Sequence, residues 1–397
     1  MKPARTFRGL LTGLLLMSPS SAALAQSAAP PVGYAPLANS DEGGLWMRDS
    51  QIEMGTQQST LLVRDQALNN YLHRIVCKLA GAQCASIRIY LVDVPYFNAS
   101  CYSNGMLHIW TGLLLRSENE AQLAFVLGHE LTHYNKRHVL NNYQSRRDTG
   151  NAMAFLAIGF AVAGVGLRVD TRGAYDLTQL VALSALFSYS RDQEREADAG
   201  GFDLAVANGY DPRQGAIIWA NAEAEDAANP RRRPYSWTDD HPTNKERLAS
   251  MAKRADELSS QKQGISGEEE FRHVMLPFRS QWLEEELARG QFDESITLVQ
   301  RLLRAEPQSS QLKYYLAEAY RRRNAKGDLR LALTEYQEAA ADTAAPTSVY
   351  RGLGMVALKS GQRDIAAQAF RKYLELAPGA DDRAMVQLYL SNAGAAQ

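Results

Sequence analysis

LAFVLGHELTHYNKRH, residues 123–138, places two histidines four apart, His129 and His133, with Glu130 between them, in a run that is otherwise apolar and helical. On a helix, residues i and i+4 share a face, with Cβ atoms about 5–6 Å apart. His129 and His133 therefore point two imidazoles at one cation, the spacing of a zinc site. Glu130, one residue round the helix, is placed to reach a water on such an ion rather than the ion itself. A catalytic zinc needs a third protein ligand, and His138 does not fit. The pattern that takes a third histidine ten residues after the first has a glycine between, and this chain has none there and Val139 at that tenth position. His138 is expected to cap the helix end or pack locally.

A better third ligand lies in SRDQEREADAGG, residues 190–201. Glu194 and Asp198 are spaced i, i+4 and share a face with Ala197 and Gly201, whose small side chains let this helix approach the HExxH helix closely. Glu196 projects elsewhere and is expected to be solvated. Asp198, one turn beyond Glu194, is placed to take a hydrogen bond from the outer ring nitrogen of a ligating histidine, which orients the ring.

Around these two helices the pattern is mixed α and β. QALNNYLHRIVCKLA (66–80) reads as a helix, SIRIYLVDV (86–94) and GMLHIWTGLL (105–114) as strands. MLHIWTGLL is a candidate edge strand for pairing with an extended substrate. Ser117 and Glu120 form an S-x-x-E box expected to start the HExxH helix. Residues 176–205 read as one further helix. Cys77 and Cys84 close a short loop and are a candidate disulfide, leaving Cys101.

Beyond about residue 275 the chain repeats itself. LARGQFDESITLVQRLLRAEP (287–307) and LKSGQRDIAAQAFRKYLELAP (358–378) align residue for residue, with a middle copy, NAKGDLRLALTEYQEAAAD (324–342). The period fits tetratricopeptide helix pairs, in which Gly and Ala permit close helix contact and proline ends each second helix. Such arrays bind peptides or protein partners. Because solenoid repeats contact mainly their neighbours, the part before them is expected to fold alone.

The N-terminus carries Lys2, Arg5 and Arg8, an apolar run, then Ala23-Leu24-Ala25, the pattern of a cleaved export signal. The expected organisation is a signal over 1–25, a poorly ordered Pro/Ala/Gly-rich linker over 26–45, a metallopeptidase domain over 46–270 and repeats over 275–397. Residues 152–167 are nearly all apolar, yet as a helix they reach about 24 Å, short of a hydrocarbon core of roughly 30 Å. They are a buried helix or a surface for peripheral membrane contact. With 397 residues and a net charge of −1, the chain has no global field to attract nucleic acid. The basic runs at 231–234 and 321–324 read as solvated surface.

HExxH, then E-x-E-A-D, then His241-Pro242 with the later Arg247, resembles the zinc metallopeptidase family of HtpX and the CAAX prenyl proteases. Supporting stretches run from VPYFNASCYSNGMLHIWTGLL (94–114) to HPTNKERL (241–248) and span about residues 65–250. The resemblance implies a mainly α (α+β) fold of gluzincin type with a small sheet, followed here by an α-solenoid. It implies one zinc ion per chain on His129, His133 and Glu194, with Glu130 catalytic and Arg247 supporting the site. It places His241 nearby, as an oxyanion donor or as a fourth zinc ligand that holds the enzyme latent; a plain surface histidine is the third reading. The appended repeats make the chain similar to exported members, which implies periplasmic quality control of outer-membrane proteins. Substrates would be unfolded or misassembled proteins, with the repeats contacting the outer-membrane assembly machinery. The rival reading is a latent protease that acts as a chaperone or assembly adaptor through its repeats.

Overall fold

A cap that the composition conceals begins the structure, a computed structural model that describes residues 29–148, 189–229, 245–259 and 264–394. Ser40 accepts a hydrogen bond from the Gly43 amide and starts α1 (Asp41–Gln58), with Asp41 and Glu42 in its first turn. The linker expected over 26–45 thus ends early: Leu45 and Ile52 pack on Val92, Trp110 and Tyr189 in a core of their own.

α2 (Gln66–Ala80) forms where its apolar stripe predicts, capped by Asp65. A 3₁₀ turn follows, and the Cys77–Cys84 disulfide is formed, with Cys101 free and buried. β1 (Arg88–Val92), β2 (Ala99–Cys101) and β3 (Met106–Trp110) make a sheet of order β1-β3-β2, parallel between β1 and β3, antiparallel between β2 and β3. MLHIW is therefore the middle strand and not an edge. All five of its residues are buried, as a strand covered on both sides requires. The strand also stops at Trp110, where α3 (Thr111–Arg116) begins.

α4 (Glu120–Asn135) carries the HExxH motif, and every residue from Glu120 to Tyr134 is buried. Its cap is Asn119, whose side chain accepts from the Gln122 amide; Ser117 instead donates to the Leu113 carbonyl at the end of α3. Glu120 serves neither cap and accepts from the Tyr71 and Tyr210 hydroxyls. α5 (His138–Asp148), α6 (Arg191–Ala207), α7 (Arg213–Ala228) and α8 (Lys245–Ser259) complete this part. The single helix expected over 176–205 is broken within its described residues, since Tyr189 is not helical and the extended Ser190 caps α6 with Gln193 in a reciprocal box.

The repeats comprise α9 (Glu268–Ala288), α10 (Phe292–Ala305), α11 (Ser310–Arg323), α12 (Asp328–Ala340), α13 (Ser348–Lys359), α14 (Arg363–Leu376) and α15 (Arg383–Gly394). α10 and α14 stop two residues before Pro307 and Pro378, as expected. Gly290, Gly327 and Gly361 do a different job from the one expected: their φ values of 71°, 93° and 75° turn the chain between paired helices. Close helix contact falls to Gly352 and Gly354, where a Cβ would meet the Tyr336 and Phe370 rings at 2.4 and 2.5 Å. The arginines of the 321–324 run are partly buried and ion-paired with Glu318, Glu284, Asp293 and Asp328, so they are structural and not merely solvated.

The repeats do not stand apart from the first domain. α9 spans the expected boundary at 270–275, and α9 and α10 pack on α2, α3, α4 and α7. Between them lies a buried charge network in which Arg116 pairs with Glu225 and Glu286, each at 2.7 Å. Arg301 pairs with Glu225 at 2.6 Å, and Arg289 with Glu286 and Glu294. Each of the three buried arginines meets buried glutamate, and Arg301 also lies 3.0 Å from the partly exposed Glu118; such pairing is the condition under which buried charge is tolerable. Among the described residues no helix is long and apolar enough to cross a membrane; residues 152–167 lie outside them.

Candidate metal centre

Two glycines decide how closely the two motif helices meet. A Cβ at Gly201 would lie 2.5 Å from the His129 amide nitrogen, and one at Gly128 would lie 2.9 Å from the Gly201 carbonyl oxygen. At that separation α6 lays Glu194, Ala197, Asp198 and Gly201 against α4, all buried, which is the face expected from the i, i+4 spacing. The Nε2 atoms of His129 and His133 are 3.0 Å apart, and each lies 3.6 Å from an oxygen of Glu194. Tetrahedral zinc with bonds of about 2.0–2.1 Å holds its donors about 3.4 Å apart. Two imidazoles and one carboxylate on that scale are a donor set that fits the ion.

The outer faces of the two rings are supported differently. His129 Nδ1 lies 3.1 Å from Asp198 Oδ1, the contact expected. Arg247 donates to both Asp198 oxygens, at 2.6 and 2.8 Å, and lies 3.0 Å from Glu194. Burial alone would raise the Asp198 carboxyl; hydrogen bonds from Arg247 and His129 outweigh it and hold the pKa at about 2. His133 Nδ1 faces His138 Nδ1 at 2.8 Å, and His138 Nε2 lies 3.2 Å from Glu196. His138 does open the next helix, but its ring reaches back to the centre. Glu196 is exposed, as expected, yet it is engaged on both oxygens, since Lys136 also pairs with it at 2.7 Å.

Two aromatic neighbours were given no role by the sequence reading. Tyr189 stacks on His133 with centroids 3.8 Å apart, and Trp219 of α7 meets His129 edge-on at 5.6 Å. Tyr189 opens the YSRDQEREADAGG stretch and Trp219 lies in no motif; only the packing of separate elements sets either ring against a histidine. His241 is outside the described residues.

Glu130 points toward the sheet, and the Cys101 amide donates to its Oε2 at 3.4 Å. In β2 the Asn98 carbonyl and Tyr102 amide bond to β3. Alternation then turns the peptide groups of Ala99 and Cys101 away from β3. The unpaired side of β2, rather than β3, is thus the sheet edge aimed at the HExxH helix.

Comparison with known proteins agrees with this architecture. Residues 63–255 match the profile of peptidase family M48, and residues 282–349 and 325–381 match that of the tetratricopeptide repeat. The chain carries a peptidase family M48 domain followed by tetratricopeptide repeats. It is 24% identical over 203 residues to the beta-barrel assembly-enhancing protease of Escherichia coli (strain K12), which covers 50% of this chain and 41% of that one. The Yersinia pestis protein of the same name is 25% identical over 260 residues, 63% of this chain and 53% of that one. The mitochondrial metalloendopeptidase OMA1 of Bos taurus is 26% identical over 210 residues, 52% and 39% of the two chains. The matches thus span about half, or less, of the relatives' own lengths.

Proposed function

We propose that the protein is an exported zinc endopeptidase that cuts unfolded or misassembled proteins. The observation that carries this is the convergence of His129 Nε2, His133 Nε2 and the Glu194 carboxylate, with Glu130 on the adjoining helix position. In this reading those three residues hold one zinc ion and Glu130 is the general base. The bound ion supplies Lewis acidity, which lowers the pKa of water toward about 7 and polarises the scissile carbonyl. Glu130 takes the water's proton and returns it to the leaving amine. Arg247 and Asp198 keep Glu194 and His129 in place. An extended client segment pairs with the β2 edge, where main-chain recognition depends little on sequence and suits unfolded chains.

The N-terminal export pattern and the likeness to the beta-barrel assembly-enhancing proteases support a periplasmic setting. They also support a role in quality control of outer-membrane proteins, with the repeats contacting the assembly machinery. A second reading, a latent protease acting as an adaptor through its repeats, has its own support: His133, Glu130 and Glu194 are at most 1% exposed. On that reading a segment must move before substrate reaches them.

Cleavage of an unfolded model protein, with and without chelator, tests the proposal. Glu130→Gln should bind zinc as the wild type does and lose hydrolysis by at least about 100-fold, because an amide accepts no proton from water. Wild-type turnover by that variant sinks the mechanism. Zinc bound stoichiometrically but no cleavage by the wild type would favour the latent reading.

A further inference from the structure

His133 and His138 meet through Nδ1 atoms 2.8 Å apart, a distance at which one nitrogen must donate and the other accept. The turn that creates this contact is costly. Arg137 has φ 52°, one of two non-glycine residues with positive φ among those described. Such backbone is uncommon outside glycine, and strain of this kind gathers at functional sites. A continued helix would carry residue 138 about 140° round from 133. The left-handed step at Arg137 instead folds His138 back onto the outer face of His133.

We propose that His138 and Glu196 are positioning residues for the metal centre, forming one directional chain that sets the tautomer of His133. The inference rests on the ligand reading above. If Nε2 of His133 is given to a metal ion, the single proton of that neutral ring sits on Nδ1. His133 Nδ1 then donates, and His138 Nδ1 must accept. His138 therefore carries its proton on Nε2, which faces Glu196 Oε2 at 3.2 Å. A carboxylate there accepts that proton's hydrogen bond and holds the tautomer in place. Lys136, 2.7 Å from the other Glu196 oxygen, orients the carboxylate. Only this assignment pairs both nitrogens of each ring. Glu196 on α6 thus does for His133, through His138, what Asp198 does directly for His129.

Glu196 is the cleaner position to change, because its side chain is 44% exposed whereas that of His138 is buried. The full-length chain is loaded with zinc, and its dissociation constant is read by chelator competition. Supporting-shell losses typically weaken metal binding about 10–100-fold; Glu196→Ala is expected at the lower end, about 10-fold. Glu196→Gln should stay near wild type, since its amide oxygen still accepts from Nε2–H. A second readout is the histidine ¹⁵N spectrum of the zinc-loaded protein, in which His138 should be protonated on Nε2 and His133 on Nδ1. Glu196→Ala binding zinc as tightly as wild type, or His138 protonated on Nδ1, overturns the proposal. Glu194→Ala is the reference: if it weakens zinc and Glu196→Ala does not, this inference fails while the ligand set stands. If neither matters, the ligand reading fails with it.

Discussion

Gly201 shows how much of the centre depends on a missing side chain. Its Cβ position is occupied by backbone of α4, the His129 nitrogen at 2.5 Å and the Gly128 carbonyl carbon at 2.9 Å, and backbone cannot swing aside. Gly201→Ala must push α6 away, and Glu194 with it. Overpacking of this kind costs about 1–3 kcal/mol. A lower melting temperature and zinc affinity reduced at least about tenfold are expected. Gly44, with nothing within 4 Å, is the control; Gly44→Ala in α1 should be neutral or stabilise by up to about 1 kcal/mol. Equal behaviour of the two variants would mean that the close approach of α4 and α6 is not what places Glu194. The identity of the glycine and its face were legible in the sequence. That its neighbour would be His129 itself was not.

At the scale of elements, α9 brings an acid against an acid. Gln281 donates to both Glu285 and Asp93, at 2.9 and 3.1 Å, which joins α9 to the loop after β1. Burial, and then the nearby Asp93 carboxylate, push the Glu285 pKa up to about 7. The unfolded value is about 4.3. Between those two pH values the folded state binds the proton more tightly than the unfolded chain, so this group's contribution to stability falls as pH rises. Glu285→Gln mimics the protonated form and should stabilise at pH 8 by about 1 kcal/mol, a figure reduced because the group is partly exposed to solvent. At pH 5 the gain should be small. Urea unfolding at the two pH values checks this, and equal gains at both would show that the carboxyl pair is not the cause. The same scale holds the misread strand. MLHIW has the apolar run of any strand, and nothing local says whether neighbours lie on one side or both. The three-residue β2 beside it has too little pattern to be seen at all.

For the whole molecule, the question is whether the family M48 domain is a unit. Solenoid logic says that repeats touch only their neighbours, but this array starts on the family M48 domain. Arg116 of α3 is neutralised by Glu286 of α9, and Arg301 of α10 both pairs with Glu225 of α7 and donates to the Arg116 carbonyl at 3.1 Å. The Ser266 carbonyl accepts from the Ala121 amide, so the lead into α9 also caps α4. Cutting the chain after residue 275 removes most of α9 and uncovers Leu114 and Leu115, now 1% and 5% exposed. The fragment should unfold at a much lower temperature than the full chain, or aggregate. A fragment melting cooperatively near the full-length temperature would restore the separable-domain view.

Local spacing determined the candidate metal site of this protein. Two histidines four apart, a glutamate between them, and a second helix with acids four apart and small residues on the same face are properties of helical geometry. They need no long-range information to be read. The repeats were legible for the same reason, since a period is a relation between nearby residues. Tertiary structure alone decided the rest: β3 as the middle strand, His138 folded back on His133, Arg247 across Asp198 and Glu194, and the Arg–Glu network that joins the repeats to the family M48 domain. Each of those depends on which groups from distant parts of the chain share one desolvated volume. Burial makes their pairing obligatory, and no local pattern records the partner.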